Sequence, residues 1–286
     1  ASFCGIVGLK QQLWRVPTYP ASPIEMLAHT GPMTRTVRDA ALLLNVIAGP
    51  DERDRLTLPA TGDDWLAACE GGVRGLRVAW SPDLGYAAVD PEVARIAAAA
   101  ARRFADDLGC AVEEAHPGFP DPSRAELILF YVGVQSNVAD LPAGRRALLD
   151  PDFARAIDEE SAGVSALDYV RANGVRQAIA EALRRFFARY DLLLTPTIAV
   201  PPFRAGEEGP REVAGRAVGR FGWTPFTYPF NLSGSPALTV PAGFTAEGLP
   251  VGLQIVGRRF DEATILRAGA AFEAAQPWAH LRPPEA

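Results

Sequence analysis

The side chains in this sequence that could act as a catalytic base or nucleophile are few. Each of the three histidines stands alone, beside a turn or near the carboxyl end: His29, His116 and His280. A serine hydrolase of the common α/β type needs its serine in a G-x-S-x-G turn, and the nearest stretch, NLSGSPA at residues 231–237, lacks that pattern. Lys10 is the only lysine of the chain. These residues predict no catalytic triad within residues 1–286.

Metal and nucleotide sites have equally little support. The cysteines are far apart and odd in number, as expected for buried, reduced thiols of a cytoplasmic protein: Cys4, Cys69 and Cys110. The spacings H-x-x-x-H, H-E-x-x-H and C-x-x-C do not occur. The glycines of GIVG and GLPVGLQIVG do not form a G-x-G-x-x-G motif at the start of a helix. We therefore expect neither a metal nor an organic cofactor.

The composition is that of a globular protein with an acidic balance. Hydrophobic residues make up 48% of the chain and the net charge is -6. A nucleic-acid partner is not expected, because such partners require a basic face. The longest apolar run, AALLLNVIAG at residues 40–49, is too short to cross a bilayer. We therefore expect a cytoplasmic protein with no membrane segment.

Hydrophobic spacing and capping residues predict an α/β fold. Thr36 and Asp39 have the spacing of a capping box, and Gly49 is placed to end the helix that they begin. A second helix is predicted over residues 90–109, and the middle of the chain, 122–190, is predicted to be mostly helical. Strands are predicted at 75–81, 110–115, 191–197, 237–244 and 251–257. The stretch 201–222, rich in Gly, Pro and charge, is predicted to be a long loop.

Long blocks of the sequence resemble the amidase signature family. ASFCGIVGLK, at residues 1–10, resembles the stretch that follows the family's nucleophile, where G-G-S-x-R-x-P runs into A-x-x-x-G-x-x-G-x-K. Further similar blocks follow in the family's order: GPMTRTVRDAALLLNVIAG, DLLLTPT, YPFNLSGSPALTVPAGF, GLPVGLQIVGRRFDEATILRAGAAFE and PWAHLRP. The resemblance extends from Ala1 to about Pro283. It implies an α/β fold in which a mixed β-sheet is sandwiched between helical layers.

The family hydrolyses amides with a Ser-Ser-Lys triad. The resemblance implies that one serine attacks the amide carbonyl, a second serine relays its proton, and a neutral lysine is the base. By the motif's spacing the nucleophile falls about five residues before Ala1, and the other two residues lie further upstream. Lys10 corresponds to a different lysine of the family, one that follows the nucleophile. We therefore expect residues 1–286 to be the C-terminal portion of a single amidase domain. We expect this portion to lack the catalytic residues and to be inactive without its N-terminal half.

The sequence departs from the family pattern in two places. After GLK the family usually continues P-T-x-G-R-V, whereas here Gln11, Gln12 and Trp14 replace the proline, threonine and glycine. We expect either an altered turn or a reshaped pocket there. The amidase subunits of tRNA-dependent amidotransferases carry an aspartate seven residues before the N-L-x-G asparagine, a position that counting back from Asn231 assigns to Thr224. This change argues against a glutamine-specific role, although a non-catalytic binding module and an amidotransferase-like subunit both stay open.

Candidate substrate contacts lie in the middle region and before NLSG, by analogy with the family. Five aromatic residues are candidates for an apolar acyl or aryl pocket: Phe130, Tyr131, Trp223, Phe226 and Tyr228. Gln135 and Thr224 are candidates for hydrogen bonds to a polar substrate. The alternative for each aromatic residue is ordinary core packing. The expected partner is a small-molecule amide, and the sequence also allows a homodimer.

Overall fold

A seven-stranded mixed sheet organises the chain in the computed structural model, which describes residues 1–24 and 26–282. Within these residues the strand order is β2-β1-β8-β9-β5-β3-β4, and β6 and β7 form a separate hairpin. Strands β5, β3 and β4 run parallel to one another, and the remaining pairs are antiparallel. The strands are β1 (Val7–Lys10), β2 (Met33–Thr34), β3 (Arg77–Trp80), β4 (Ala111–Glu114), β5 (Leu192–Pro196), β6 (Glu212–Val213), β7 (Arg216–Ala217), β8 (Ala237–Phe244) and β9 (Pro250–Val256).

Helices cover both faces of this sheet. Successive residues of a strand point to opposite faces, so Leu192 and Leu194 pack with α1, α2, α3 and α9, whereas Leu193 packs with α4, α7 and α8. The helices of the described residues are α1 (Val37–Ile47), α2 (Trp65–Ala68), α3 (Pro91–Asp106), α4 (Ser123–Val138), α5 (Ala143–Arg146), α6 (Pro151–Ser161), α7 (Ala166–Phe186), α8 (Tyr228–Ser233) and α9 (Glu262–Ala275). The predicted arrangement of a mixed sheet between helical layers is confirmed. None of these helices is both long and apolar enough to cross a membrane.

Local capping explains why the predicted helices form. The Thr36 side chain accepts a hydrogen bond from the backbone N–H of Asp39, as the sequence predicts for the start of α1. Asp90 caps α3 in the same way, with Pro91 in its first turn. The predicted strands are also present, whereas the six-residue helix α8 was not predicted. The last residue of the PWAHLRP block, Pro283, lies outside the described residues.

The predicted loop at 201–222 contains the hairpin β6–β7 and is tied to the rest of the protein by two arginines. The guanidinium of Arg220, whose side chain is 9% exposed, contacts Glu159 at 2.9 Å and Glu160 at 3.3 Å on α6. Arg216 donates to the backbone carbonyl of Tyr86 at 3.0 Å. The loop is therefore anchored at and just after β7, which the composition of the segment did not indicate.

Strand β4 forms one edge of the sheet in the described part of the chain. Three of its four residues are exposed, and two of these are the adjacent carboxylates Glu113 and Glu114. The hydroxyl of Tyr190 donates a hydrogen bond to Glu113. This edge is consequently short, polar and negatively charged.

Replacing Gly174 by alanine is expected to stabilise the protein. Gly174 is an exposed residue of α7, and no heavy atom lies within 4 Å of the position that its Cβ would take. Alanine restricts the unfolded chain more than glycine, so the free energy of unfolding should rise by about 0.5–1 kcal/mol in a urea titration. Gly252→Ala is the matched control, because its Cβ would lie within 2.6–2.8 Å of the hydroxyls of Ser2, Thr197 and Thr239. A loss of stability in both variants would contradict this explanation.

Candidate active site

A groove of about 240 Å³ lies beside Ala1, along β1, β8 and β9. Its lining combines polar side chains with apolar surface; the polar side chains include Lys10, His29, Thr227, Asn231, Thr239 and Gln254. Ala1 is held close to β1 because residue 8 is glycine: a Cβ at Gly8 would lie 2.4 Å from the Cβ of Ala1. A residue joined to the amino group of Ala1 would therefore lie next to this groove.

Side-chain hydrogen bonds fix the floor of the groove. The hydroxyl of Thr197, which directly follows β5, lies 2.7 Å from the hydroxyl of Thr239 on β8. The amide of Gln254 donates to the hydroxyl of Thr195 at 3.0 Å and to the backbone carbonyl of Phe226 at 2.8 Å. Buried polar groups with satisfied hydrogen bonds hold one arrangement. The floor is thus a fixed polar surface between the sheet and the segment before α8.

Lys10 joins three parts of the chain at one end of this groove. Its Nζ lies 3.1 Å from the carbonyl oxygen of Phe230, 2.5 Å from that of Ser235 and 3.4 Å from Nε2 of His29. Among the described residues no carboxylate contacts this amine. Burial lowers the pKa of Lys10 to about 7, although the charge of Glu262 acts in the opposite direction. Lys10 should therefore titrate near neutral pH.

His29 is a neutral partner of Lys10. Its Nδ1 lies 2.9 Å from the carbonyl oxygen of Leu27, which requires the proton on Nδ1 and leaves Nε2 as an acceptor. Burial, and then the charge of Lys10, lower the pKa of His29 to about 2. The two carbonyls and Nε2 give Lys10 three acceptors, which match the three N–H bonds of an ammonium, whereas burial favours the neutral amine. The hydrogen bonds therefore favour the ammonium form of Lys10, and burial favours the neutral amine.

The C-terminal part of α8 is further tied to residues 26 and 27. Arg176 donates to the carbonyls of Leu232 at 3.2 Å and Met26 at 3.3 Å. The amide of Asn231 donates to the carbonyl of Leu27 at 3.2 Å, so this side chain fixes the turn. In residues 1–24 and 26–282, no three His, Cys, Asp or Glu side chains are grouped as a metal site requires.

The structure places three of the predicted substrate contacts in the interior. Tyr131 is 3% exposed, Phe226 0% and Tyr228 4%, and none of them lines the groove beside Ala1. Phe226 belongs to the core shared by α4, α7 and α8. The hydroxyl of Tyr228 lies 3.3 Å from a carboxylate oxygen of Asp121. Their burial favours core packing for Phe226 and Tyr228, whereas Tyr131 also lines a cavity of about 270 Å³ together with Trp223. A substrate contact at these residues stays a prediction.

The other predicted contacts lie elsewhere. Trp223 stacks on Phe3 with ring centroids 5.6 Å apart, which places it close to the start of the chain. Phe130 is partly buried against Tyr131. The Thr224 hydroxyl donates to a backbone carbonyl within its own turn, at 3.0 Å. Oε1 of Gln135 is buried without a hydrogen-bond partner among the described residues. The groove residues that sequence reasoning missed lie within blocks that it had identified: Lys10, Asn231, Thr239 and Gln254.

The first departure from the family pattern coincides with an unusual backbone. Trp14 has φ 66°, in the left-handed region that favours glycine, which is the residue expected there. Its carbonyl accepts a hydrogen bond from the N–H of Leu58 at 3.0 Å. The turn thus keeps a conformation suited to glycine, and the change is in the side chain, which lines a small cavity together with Gln11.

Comparison with known sequences identifies relatives over nearly the whole chain. The model of the Amidase family matches residues 1–266. An acylamidase of Rhodococcus erythropolis is 38% identical over 288 residues, which are 99% of this chain and 60% of that protein. A glutamyl-tRNA(Gln) amidotransferase subunit of Lactiplantibacillus plantarum is 33% identical over 303 residues, covering 96% of this chain and 60% of its own length.

Solved structures show the same fold. A bacterial aryl acylamidase of the amidase signature family matches with a TM-score of 0.88 and 32% identity, over 98% of this chain and 60% of that one. The 6-aminohexanoate cyclic dimer hydrolase, solved in complex with its substrate, matches with a TM-score of 0.84 and 28% identity, over 99% and 63%. The chain spans about 60% of the length of the curated relatives that it matches. With this family match, these identities and this fold, the chain belongs to the amidase signature family.

Proposed function

We propose that this protein is an amidase that hydrolyses the C–N bond of a small-molecule carboxamide, with a Ser-Ser-Lys triad located upstream of Ala1. The observation that carries the proposal is the groove beside Ala1, lined by both polar and apolar side chains, in a chain of this family. A nucleophile a few residues before Ala1 would lie at the mouth of this groove. The product would be a carboxylate with ammonia or an amine.

The reaction is a two-step acyl transfer. The serine oxygen bonds to the amide carbon while its proton passes through the second serine to the lysine. The C–N bond then breaks, and the lysine returns the proton to the leaving amine. Water releases the acyl group by the reverse sequence of proton transfers. Residues 1–286 would supply no proton carrier in this scheme. They would hold the start of the chain and form the floor and one wall of the substrate site.

The substrate contacts proposed within this chain lie around Ala1. Thr227 lines the groove, and the rings of Phe3 and Trp223, two residues along from Ala1 and before α8, stack on each other. Aromatic pairs of this kind suit an aryl or acyl group, and hydroxyls suit the polar amide. Of the residues predicted from sequence, we retain Phe130, Tyr131, Gln135 and Thr224 as candidates for contacts further from the reacting bond.

Hydrolysis of a panel of aliphatic and aryl amides tests the proposal. The 286-residue chain should show no turnover, whereas a protein extended upstream through the serine-rich loop and the lysine should hydrolyse at least one class of amide. Turnover by the short chain that survives replacement of Ser2 and Cys4 by alanine and of Lys10 by methionine would contradict the proposal.

A role within an amidotransferase complex is the second candidate function. The 33% identity with a glutamyl-tRNA(Gln) amidotransferase subunit favours it. Thr224 argues against it, because the corresponding aspartate of that branch helps to recognise the substrate. Ammonia release from glutamine by the extended protein decides between the two. We expect simple amides to be hydrolysed and glutamine not. Glutamine as the preferred substrate would favour the amidotransferase.

A further inference from the structure

A cavity of about 610 Å³ lies beside residues 3–6 and the end of β8, and it shares no lining residue with the groove beside Ala1. Its volume falls within the roughly 300–1,000 Å³ of typical small-molecule sites. Two apolar side chains of its lining are well exposed, Phe244 at 44% and Leu281 at 42%. The cavity therefore presents apolar surface to a molecule that enters it. The apolar part of its lining is Phe3, Ile6, Phe244, Pro250, Trp278 and Leu281.

Two arginines, Arg35 and Arg282, also line this cavity. Nη2 of Arg35 donates to the backbone carbonyls of Ala279 at 2.5 Å and Leu281 at 3.1 Å. Nη1 of Arg282 donates to the same two carbonyls, at 2.7 Å and 2.9 Å. The indole of Trp278 in turn donates to the carbonyl of Arg35 at 2.9 Å and fixes its backbone. The two guanidinium groups thus converge on the same oxygen atoms, and two positive charges lie side by side.

Within residues 1–24 and 26–282, no carboxylate contacts either of these guanidinium groups. No lining residue is acidic, and Glu247, which precedes the lining residue Gly248, is not part of the lining. In the same part of the chain, Nε and the second Nη of each arginine contact no acceptor. Like charges at this distance repel each other, whereas guanidinium groups pair strongly with carboxylates. The paired arginines are therefore suited to an anion.

We propose that this cavity binds an amphipathic anion, a small molecule with one carboxylate and an apolar chain. The carboxylate accepts from N–H groups of Arg35 and Arg282 that the two carbonyls leave free, and the chain packs against Phe244 and Leu281. Charge complementarity selects an anion, because the lining holds two positive charges and no negative one. Removal of the apolar chain from water supplies further affinity. The proposal uses residues of this chain alone and does not depend on hydrolysis in the groove.

Calorimetric titration of the 286-residue chain with sodium decanoate, kept below its micelle concentration, tests this site. We expect saturable binding of decanoate and none of decyltrimethylammonium, although the net charge of -6 would by itself favour the cation. Arg282→Met should weaken decanoate binding by about tenfold or more. The variant should fold normally, because this guanidinium bonds only to carbonyls one and three residues before it. Arg102→Met is the matched control, because it removes an exposed charge outside the cavity and should leave the affinity unchanged.

Cys4 provides a second readout within the cavity itself. Its thiol is exposed and belongs to the lining, whereas Cys69 and Cys110 are buried. Iodoacetamide, which is uncharged, should therefore alkylate Cys4 first, because a buried thiol is inert. Saturating decanoate should slow this alkylation severalfold, and Cys4→Ser should abolish the fast phase.

Several outcomes would overturn the proposal. Absence of saturable binding, or equal affinity for decanoate and decyltrimethylammonium, would show that the arginines select no anion. Unchanged affinity in Arg282→Met, or unchanged alkylation of Cys4, would place the ligand elsewhere. Binding to the 286-residue chain that a protein extended upstream lacks would show that upstream residues fill the cavity. None of these results bears on whether the extended protein hydrolyses amides, so the two proposals fail independently.

Discussion

Replacing Arg15 by methionine is expected to lower the free energy of unfolding by about 3–5 kcal/mol. Nε of Arg15 lies 3.1 Å from Oε1 of Glu262, and the two side chains are only 5% and 1% exposed. The same oxygen accepts from the backbone N–H of Gln12 at 3.0 Å. Without Arg15, the Glu262 carboxylate would stay buried with no contacting cation among the described residues, and only part of its lost hydration would be replaced. Urea unfolding monitored by circular dichroism measures the loss.

An exposed ion pair provides the control for this prediction. Arg38 and Glu70 are also in contact, but their side chains are 55% and 70% exposed, so Arg38→Met should lower stability far less than Arg15→Met does. The double variant Arg15→Met/Glu262→Gln removes both buried charges and should recover a large part of the loss. Equal costs for Arg15→Met and Arg38→Met would show that the buried pair contributes no more than a surface pair.

The second large effect is a pH dependence of stability that Lys10 confers. The pKa of Lys10 falls from 10.5, its ordinary value, to about 7 in the folded protein. Between these two values the unfolded chain binds more protons than the folded one, so this group makes the protein more stable as pH rises. From pH 7 to pH 9, the stability of the wild type relative to Lys10→Met should rise by about 2 kcal/mol.

The comparison with Lys10→Met cancels the titration of other groups, such as Glu126, whose pKa burial raises to about 8. The pKa of His29 is lowered, so its contribution to stability is lost as pH falls below 6.5, outside the range used. Lys10→Arg keeps a permanent charge at the position and should show no such rise between pH 7 and pH 9. A constant difference between the wild type and Lys10→Met would mean that the three acceptors hold Lys10 as an ammonium throughout.

Elements with strong local signals were predictable from the sequence, and elements without them were not. Caps such as Thr36 and Asp90 fix where α1 and α3 begin, and both helices were predicted. Helix α8 has six residues, with a proline in its first turn, so it shows too little periodicity to be recognised. The hairpin β6–β7 turns through Ala214 and Gly215 at φ 49° and 74°, and alanine is an unusual residue for such a turn.

The site was less predictable than the fold because its contacts join distant residues. Lys10 reaches the carbonyls of Phe230 and Ser235, which lie 220 and 225 residues away, and no local pattern encodes such a contact. Aromatic residues did not locate the substrate pocket, because the sequence does not distinguish a buried ring such as Phe226 from a ring that lines a pocket. The family pattern was more informative: it marked residue 14 as a glycine position, and the backbone there is left-handed.

The charged edge at β4 bears on how copies of this protein can associate. An unpaired edge strand offers N–H and C=O groups to any other strand, and sheets can grow from molecule to molecule in this way. Strand β4 carries the exposed carboxylates of Glu113 and Glu114 side by side. A second copy adding its own β4 would bring like-charged carboxylates together on each face of the joined sheet, with few apolar contacts to offset their repulsion. A homodimer, which the sequence allows, would therefore form through a different surface, and β4 protects the sheet against open-ended assembly.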